Sequence, residues 1–355
     1  EEKILADLVD NTWETMFEIP SAPVMPLYKR KWYQASAAAA IFFAVIAGSY
    51  FMITNPANKN VSTFSSQHMA NQKVEPEGKN VILTLGDGSQ IILDDAKNGT
   101  LAQQSNAQII KLDNNQLTYK STTALVGKAV YNTISTPNGV QYKLMLEDGS
   151  TVWLNALSTL HFPASFAGEE RVVELEGEGY FEIAKNSERP FIVNIKKAFQ
   201  KDSDLKVKVL GTHFNINAYH NEPIVKTTLM EGSIEIMKGT TIKRMTPGQQ
   251  ASISEQKGEP GLNLVHVDVE DAAAWKDGRF IFHGNNIQSV MRELSRWYNV
   301  TIKYEGEIPN EQFVGKISRS RYEKIGQILA ILERTKVVHF QVDGNNIIVM
   351  PYKNN

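Results

Sequence analysis

The feature that most constrains this chain is an uncharged run over 32–53, WYQASAAAAIFFAVIAGSYFMI. At 1.5 Å per residue its 22 positions make roughly 33 Å of helix, enough to cross a hydrocarbon layer of about 30 Å. Lys29, Arg30 and Lys31 stand directly before it, and Lys59 is the nearest basic residue after it. The positive-inside rule then puts the N-terminus in the cytoplasm and residues 55–355 outside. Ala47-Gly48-Ser49 offers small residues for signal cleavage, but the stretch ahead of the run is far longer than a charged n-region. The expectation is an uncleaved, single-pass anchor, with the bulk of the chain outside the cytoplasm.

Residues 1–31 form the cytoplasmic tail. Ile4, Leu5, Leu8, Trp13, Met16 and Phe17 recur near helical spacing, with Glu1, Glu2, Asp7, Asp10 and Glu14 on the other side. That pattern predicts an amphipathic helix of about four turns, stopped by Pro20, Pro23 and Pro26. Its apolar face, with Ile4, Leu8, Trp13 and Phe17, must be buried against lipid, a missing N-terminal neighbour or a cytoplasmic partner protein. Lys plus Arg total 37 and Asp plus Glu 39, a formal net charge of −2, so no bulk field draws a polyanion and direct nucleic-acid binding is not expected. Cysteine is absent, which excludes disulfides, thiolate catalysis and Cys-type zinc sites.

Beyond the anchor, residues 54–79 read as a polar linker. From 80 to about 254, short alternating runs such as VILTL, QYKLML, TVWLN and RVVELEGEGYFEI are broken by Gly, Asp, Asn and Pro. Strands at that spacing predict an all-β domain, a β-sandwich or β-roll, split into a β extension over 80–127 and a main domain over 128–256. There is an internal echo: Asp87-Gly88-Ser89 and Asp148-Gly149-Ser150 each sit between alternating apolar strands, the signature of a tight hairpin in which Gly supplies a positive φ. Residues 257–277 read as a linker with a short helix. Over 278–352 the order changes to βαβ followed by βαββ, a small α+β domain. Ile287, Val290, Met291, Leu294 and Trp297 mark its first helix, capped by Asn285 or Asn286, and Ile325, Ile328, Leu329 and Leu332 its second.

Several phrases in the β region recur together in one known family. They are Thr136-Pro137-Asn138-Gly139, Leu146-Glu147-Asp148-Gly149-Ser150, Leu154-Asn155-Ala156, Ser158 and Glu176-Gly177-Glu178-Gly179-Tyr180-Phe181-Glu182. Further on come Arg189-Pro190-Phe191, Val209-Leu210-Gly211-Thr212, Phe214-Asn215-Ile216, Glu231-Gly232-Ser233 and Thr246-Pro247-Gly248-Gln249-Gln250-Ala251. In this order they resemble the FecR family, anti-sigma factors anchored in the bacterial inner membrane, which implies that the bulk of this chain lies in the periplasm. The C-terminal piece resembles the small signalling domains of secretins and TonB-dependent receptors. The resemblance implies a chain that relays the state of an outer-membrane TonB-dependent transducer to an extracytoplasmic-function sigma factor, with release by an intramembrane protease. It also implies that the tail is the remnant of a longer anti-sigma region. No cofactor is implied.

Some FecR-type proteins cleave themselves at a Gly-Thr bond matching Gly211-Thr212. There a threonine hydroxyl attacks the preceding carbonyl and water opens the resulting ester, with Gly permitting the backbone geometry. The plainer reading is a strand end followed by a strand start. His213 and His220 are the closest histidine pair, but regular strand geometry sends them to opposite faces, which disfavours a metal site. Glu174, Glu176, Glu178 and Glu182 share one face of a strand and are expected to face water or to pair with Arg171 or Arg189. No nucleophile-elbow, zincin, Walker or dinucleotide motif is present. In the last domain, a strand edge at 338–342 (Val338, Phe340, Val342) or 346–350 is expected to accept a partner's strand. Two other readings stand beside the regulator: a membrane-tethered glycan-binding module using Trp153, Tyr180 and Trp275, and an envelope-structural component.

Overall fold

The computed structural model describes residues 80–104, 107–112, 116–121, 129–196, 205–254 and 261–353. The predicted tail helix with Ile4, Leu8, Trp13 and Phe17, the apolar run 32–53 and the linker 54–79 lie outside the described residues. Among the described residues no helix is long and apolar enough to cross a membrane.

The β region folds as two sheets over one core. The first runs, in spatial order, Gln90–Ile92, Ile82–Thr84, Tyr131–Ser135, Thr159–Pro163, Arg171–Glu182, Phe191–Ile195, Leu205–Val209, Ile234–Lys238 and Thr241–Met245. The second runs Gly99–Gln104, Ala107–Leu112, Gln116–Ser121, Tyr142–Met145, Thr151–Leu154, Arg171–Glu182, His213–Ala218, Ile224–Glu231, Gln249–Ser254 and Gly261–His266. Arg171–Glu182 belongs to both. Its first half pairs with Thr159–Pro163 and, in parallel, with Phe191–Ile195. Its second half pairs with Thr151–Leu154 and His213–Ala218.

The changeover falls at Gly177, whose φ is +90°. A Cβ there would stand 2.6 Å from Ser158 Oγ and 2.8 Å from the Leu157 carbonyl oxygen, so only glycine lets the strand pass that close. Alternating side chains of both sheets, among them Leu83, Ile134, Phe162, Val173, Phe181, Phe214 and Ile253, meet in one buried cluster. Residues over 80–121 extend both sheets, and Val81, Leu83, Ile109 and Leu117 join the common core.

The two Asp-Gly-Ser turns are built alike. In each, the leucine before the turn donates its N–H to the serine carbonyl, and the glycine N–H returns to that leucine: 2.8 and 2.8 Å around Gly88, 2.8 and 3.0 Å around Gly149. The aspartate caps the turn by accepting from the serine N–H and hydroxyl. Gly88 and Gly149 have φ of +84° and +82°.

The C-terminal α+β domain follows the expected order: strand Arg279–Asn286, a helix (α2) Ile287–Tyr298, strands Thr301–Tyr304 and Gln312–Ser318, a helix (α3) Ile325–Glu333, and strands Val338–Asp343 and Asn346–Pro351. A short helix (α1) Val269–Ala273, N-capped by Asp268, precedes it. Asn286 caps α2 by accepting from Ser289 N–H, and Asn299 ends that helix in the left-handed region. The strands form two small sheets. Arg279–Asn286 pairs with Gln312–Ser318, while Asn346–Pro351 lies between Thr301–Tyr304 and Val338–Asp343. This corrects one expectation: 346–350 is the middle of its sheet, because the strand after α2 pairs with it in parallel. Ile287, Val290, Met291 and Leu294 of α2 and Ile325, Ile328, Leu329 and Leu332 of α3 fill the domain's own core. Burying those four α2 side chains contributes roughly 6–12 kcal/mol before entropy is charged against it.

Candidate functional site

The helix α2 is buried on both sides. Its apolar stripe faces the α+β core, yet Arg296, about 180° around the helix from Ile287, is 6% exposed. What covers this opposite face is the β domain. Glu222, from the loop ahead of Ile224–Glu231, takes Arg292 at 2.8 Å through one oxygen and Arg296 at 3.0 Å through the other. Arg296 also donates to Asn221 Oδ1 at 3.2 Å and lies 4.0 Å over the Tyr219 ring. Its carbonyl oxygen, at the end of the helix, accepts from Gly139 N–H at 3.1 Å and from Asn138 Nδ2 at 3.2 Å. Carbonyls in the last turn carry negative partial charge and lack helical partners, so the Asn138-Gly139 turn satisfies one end of α2.

Trp275, just after α1, is the second anchor. Its indole N–H donates to Asn215 Oδ1 at 3.0 Å, and its carbonyl accepts from Gln141 Nε2 at 2.6 Å and from Arg319 Nη2 at 2.7 Å. The Arg319 guanidinium stacks 4.0 Å from the Trp297 ring and 4.8 Å from Phe280. Next to Trp275, Lys276 sits over the rings of Trp153 at 4.7 Å and Tyr180 at 4.3 Å, and 3.7 Å from Glu182.

Beneath these anchors lies Glu178. Its carboxylate accepts from Asn155 Nδ2 at 2.9 Å and Asn215 Nδ2 at 3.0 Å, and burial pushes it above the usual carboxylate range. The solvated acidic row expected from the sequence is therefore corrected at this position. Gly177 rotates the strand, and Glu178 turns under the joint at 7% exposure. Glu174 pairs with Lys196 and Glu182 with Lys276, rather than with Arg171 or Arg189. Arg171 instead goes to Asp148, at 2.6 Å. Tyr219 donates to the Ala156 carbonyl at 2.6 Å, and burial drives its hydroxyl pKa far up. A polar cleft of about 490 Å³ runs along the joint, with Glu178, Asn217, Lys226, Asp271, His283 and Glu293 among its walls.

Gly211 and Thr212 sit between Leu205–Val209 in one sheet and His213–Ala218 in the other. Thr212 is 2% exposed and its hydroxyl donates to the Ser233 carbonyl at 3.1 Å. A Cβ on Gly211 would lie 2.7 Å from Lys185 Cα, and one on Gly232 2.7 Å from the Gly211 carbonyl oxygen, so the two motif glycines permit one tight crossing. His213 pairs with Glu231 at 3.3 Å, and no group of three potential metal ligands occurs among the described residues. Val338, Phe340 and Val342 point into the α+β core, so the open feature of that edge strand is its backbone.

Sequence reasoning did not single out Glu222, Arg292, Glu293, Arg296 or Arg319. The available signal was indirect: the phrases Asn138-Gly139, Asn155-Ala156, Glu178 and Asn215 all end at this joint.

A β domain of two sheets sharing one strand, sealed to a small α+β domain by a polar joint, defines the class of protein. Residues 132–235 match the FecR protein family and residues 279–349 the FecR C-terminal family. Both described domains thus carry the likeness to the FecR family. Two crystal structures of candidate anti-sigma factors from Parabacteroides distasonis ATCC 8503 are similar to it. One, at 1.65 Å, has 25% identity and a TM-score of 0.56, covering 63% of this chain and 99% of that one. The other, at 2.50 Å, has 26% identity and a TM-score of 0.56, covering 63% of this chain and 100% of that one. No curated protein matches the sequence.

Proposed function

We propose that this chain is an anti-sigma regulator that carries information across a membrane. The observation that carries the reading is the match of both domains to FecR family models, together with the likeness over 63% of this chain to solved candidate anti-sigma factors. In this reading the run 32–53 anchors the chain, the β domain and α+β domain lie outside the cytoplasm, and the N-terminal helix holds an extracytoplasmic-function sigma factor through Ile4, Leu8, Trp13 and Phe17. The outer part senses the signalling domain of a TonB-dependent transducer, and an intramembrane protease releases the sigma factor. The role is regulatory, with self-cleavage at Gly211-Thr212 the one chemical step proposed.

The aromatic residues of the glycan-binding reading are occupied within the fold. Trp275 is 4% exposed, and Lys276 covers the faces of Trp153 and Tyr180. Co-purification from membranes of the full chain with its sigma factor tests the proposal. Capture that survives alanine at Ile4, Leu8, Trp13 and Phe17 together refutes the assigned surface, and a reporter after Asn355 that is active only in the cytosol refutes the topology. Equal capture of a transducer's signalling domain by the full chain and by one ending at Gly278 would remove the α+β domain from the sensing role.

A further inference from the structure

The joint contains a carboxyl group that no motif accounts for. Glu293 stands on α2 between the Arg292 and Arg296 arms that grip Glu222, yet its own carboxyl makes no hydrogen bond or ion pair among the described residues. It faces a small gap shared with Asn155, Ala156, Phe280, Trp297 and Arg319 on one side, and the polar cleft on the other. The charged groups nearest it come from every element at the joint. Arg296 lies on its own helix, Arg319 on the segment after Gln312–Ser318, Glu178 on the shared strand, and Glu222 and Tyr219 on the β-domain loop. Farther along the cleft are Lys226, Asp268, Asp271, Arg279 and His283, the last paired with Asp271.

We propose that Glu293 makes the joint a proton-gated clasp: with its carboxyl neutral the α+β domain stays locked on the β domain, and with it ionised the two loosen. The balance of forces supports this. Desolvation of the half-buried carboxyl in the joint is the largest influence; with the neighbouring Glu178 and Glu222 it outweighs Arg296 and Arg319 and pushes Glu293 up to about 7 from 4.5. The sign follows from proton counting. Between those two values the closed joint holds a proton that an opened, hydrated Glu293 releases, so closing takes up a proton and is favoured as pH falls. Closure is weakest above about 7 and gains until pH drops below the ordinary carboxylate value. The full span is roughly 300-fold in the closed-to-open ratio, and about 20-fold of it falls between pH 7.5 and 5.5. Glu178, also raised by burial, acts in the same direction. The clasp is a property of the outer domains and stands independently of the sigma-factor reading.

The chain has no cysteine, so one introduced pair gives unique labels. Ile242→Cys in the β domain and Val314→Cys in the α+β domain are both at exposed positions, 60% and 75%. Spin-label distance distributions in the full chain at pH 7.5 and 5.5 report the joint. The expected result is a closed population that grows at pH 5.5 with Glu293 present and is high at both values in Glu293→Gln. Should that variant fold poorly, Glu293→Met carries the same expectation. A parent distribution that does not change with pH overturns the proposal. So does a pH response that survives in the Glu293 variant and disappears in His283→Gln, which would assign the switch to the histidine.

Discussion

Two turns that share Asp-Gly-Ser and the same backbone hydrogen bonds, around Asp87 and Asp148, differ in a respect that can be measured. Asp148 Oδ2 is 2.6 Å from Arg171 Nη1, with side-chain exposures of 13% and 2%, whereas Asp87 lies on the surface and pairs with no cation among the described residues. Arg171 is held further by the carbonyls of Arg189 at 2.9 Å and Ala184 at 3.0 Å, so it ties the hairpin to the shared strand where that strand enters the first sheet. Asp148→Asn removes the charge and leaves the turn cap in place, since an amide oxygen still accepts from the Ser150 N–H. The gross attraction at that distance is about 6 kcal/mol at an effective dielectric constant of about 20. With that oxygen on Ser150, the amide nitrogen takes the place of Oδ2 and meets the guanidinium donor to donor, so none of the attraction is recovered. Stranding one member of a buried pair costs about 3–5 kcal/mol, and the Arg189 and Ala184 carbonyls that still hold Arg171 place this case near 3. With a slope of about 3 kcal/mol per molar urea, the β-domain midpoint should fall by about 1 M. Urea titration followed by tryptophan fluorescence reads it, and Asp87→Asn run alongside should leave the midpoint unmoved. Equal shifts for the two substitutions would refute the reasoning, because the turns would then matter only as turns.

Leu157 has a φ of +54° and is 46% exposed, an unfavourable conformation for a branched side chain with little burial to offset it. Leu157→Asn should stabilise by about 1 kcal/mol and raise the melting temperature by about 2–4 °C, and a lower melting temperature would show that the leucine packs against something. Gly177→Ala must fit a Cβ 2.6 Å from Ser158 Oγ at φ +90°, and should cost about 2–4 kcal/mol in a thermal melt; a loss below about 0.5 kcal/mol would mean the crossing can relax. If the Gly211-Thr212 bond is cut, Thr212→Ala should run as one full-length band on an immunoblot where the parent gives two, and two fragments in that variant would end the idea.

What the sequence made legible is what is decided locally. The Asp-Gly-Ser hairpins, the alternating strands, the Asn286 cap and the two helical stripes all depend on residues within a few positions of one another. The run 171–182 also reads as one strand, but its passage from one sheet to the other does not, because nothing within it specifies which strands flank each half. The clearest failure is Glu178. Even spacing along a strand places Glu174, Glu176, Glu178 and Glu182 on one face, and four carboxylates there suggest water. The α+β domain covers only the part of that face near the changeover, leaving Glu174 to pair at the rim and Glu178 to be buried with two amide donors. The same contact inverts the reading of α2. A helix with one apolar stripe and Arg292, Glu293 and Arg296 opposite it is indistinguishable, as a sequence, from one lying on the surface. The loop with Tyr219, Asn221 and Glu222, some seventy residues earlier, makes that face an interior one. The recurring phrases with Asn138, Asn155, Glu178 and Asn215 are therefore best understood as the receiving half of a joint whose other half lies in the next domain. Asn138 donates to the Arg296 carbonyl in that next domain, while Asn155 and Asn215 hold Glu178 beneath it.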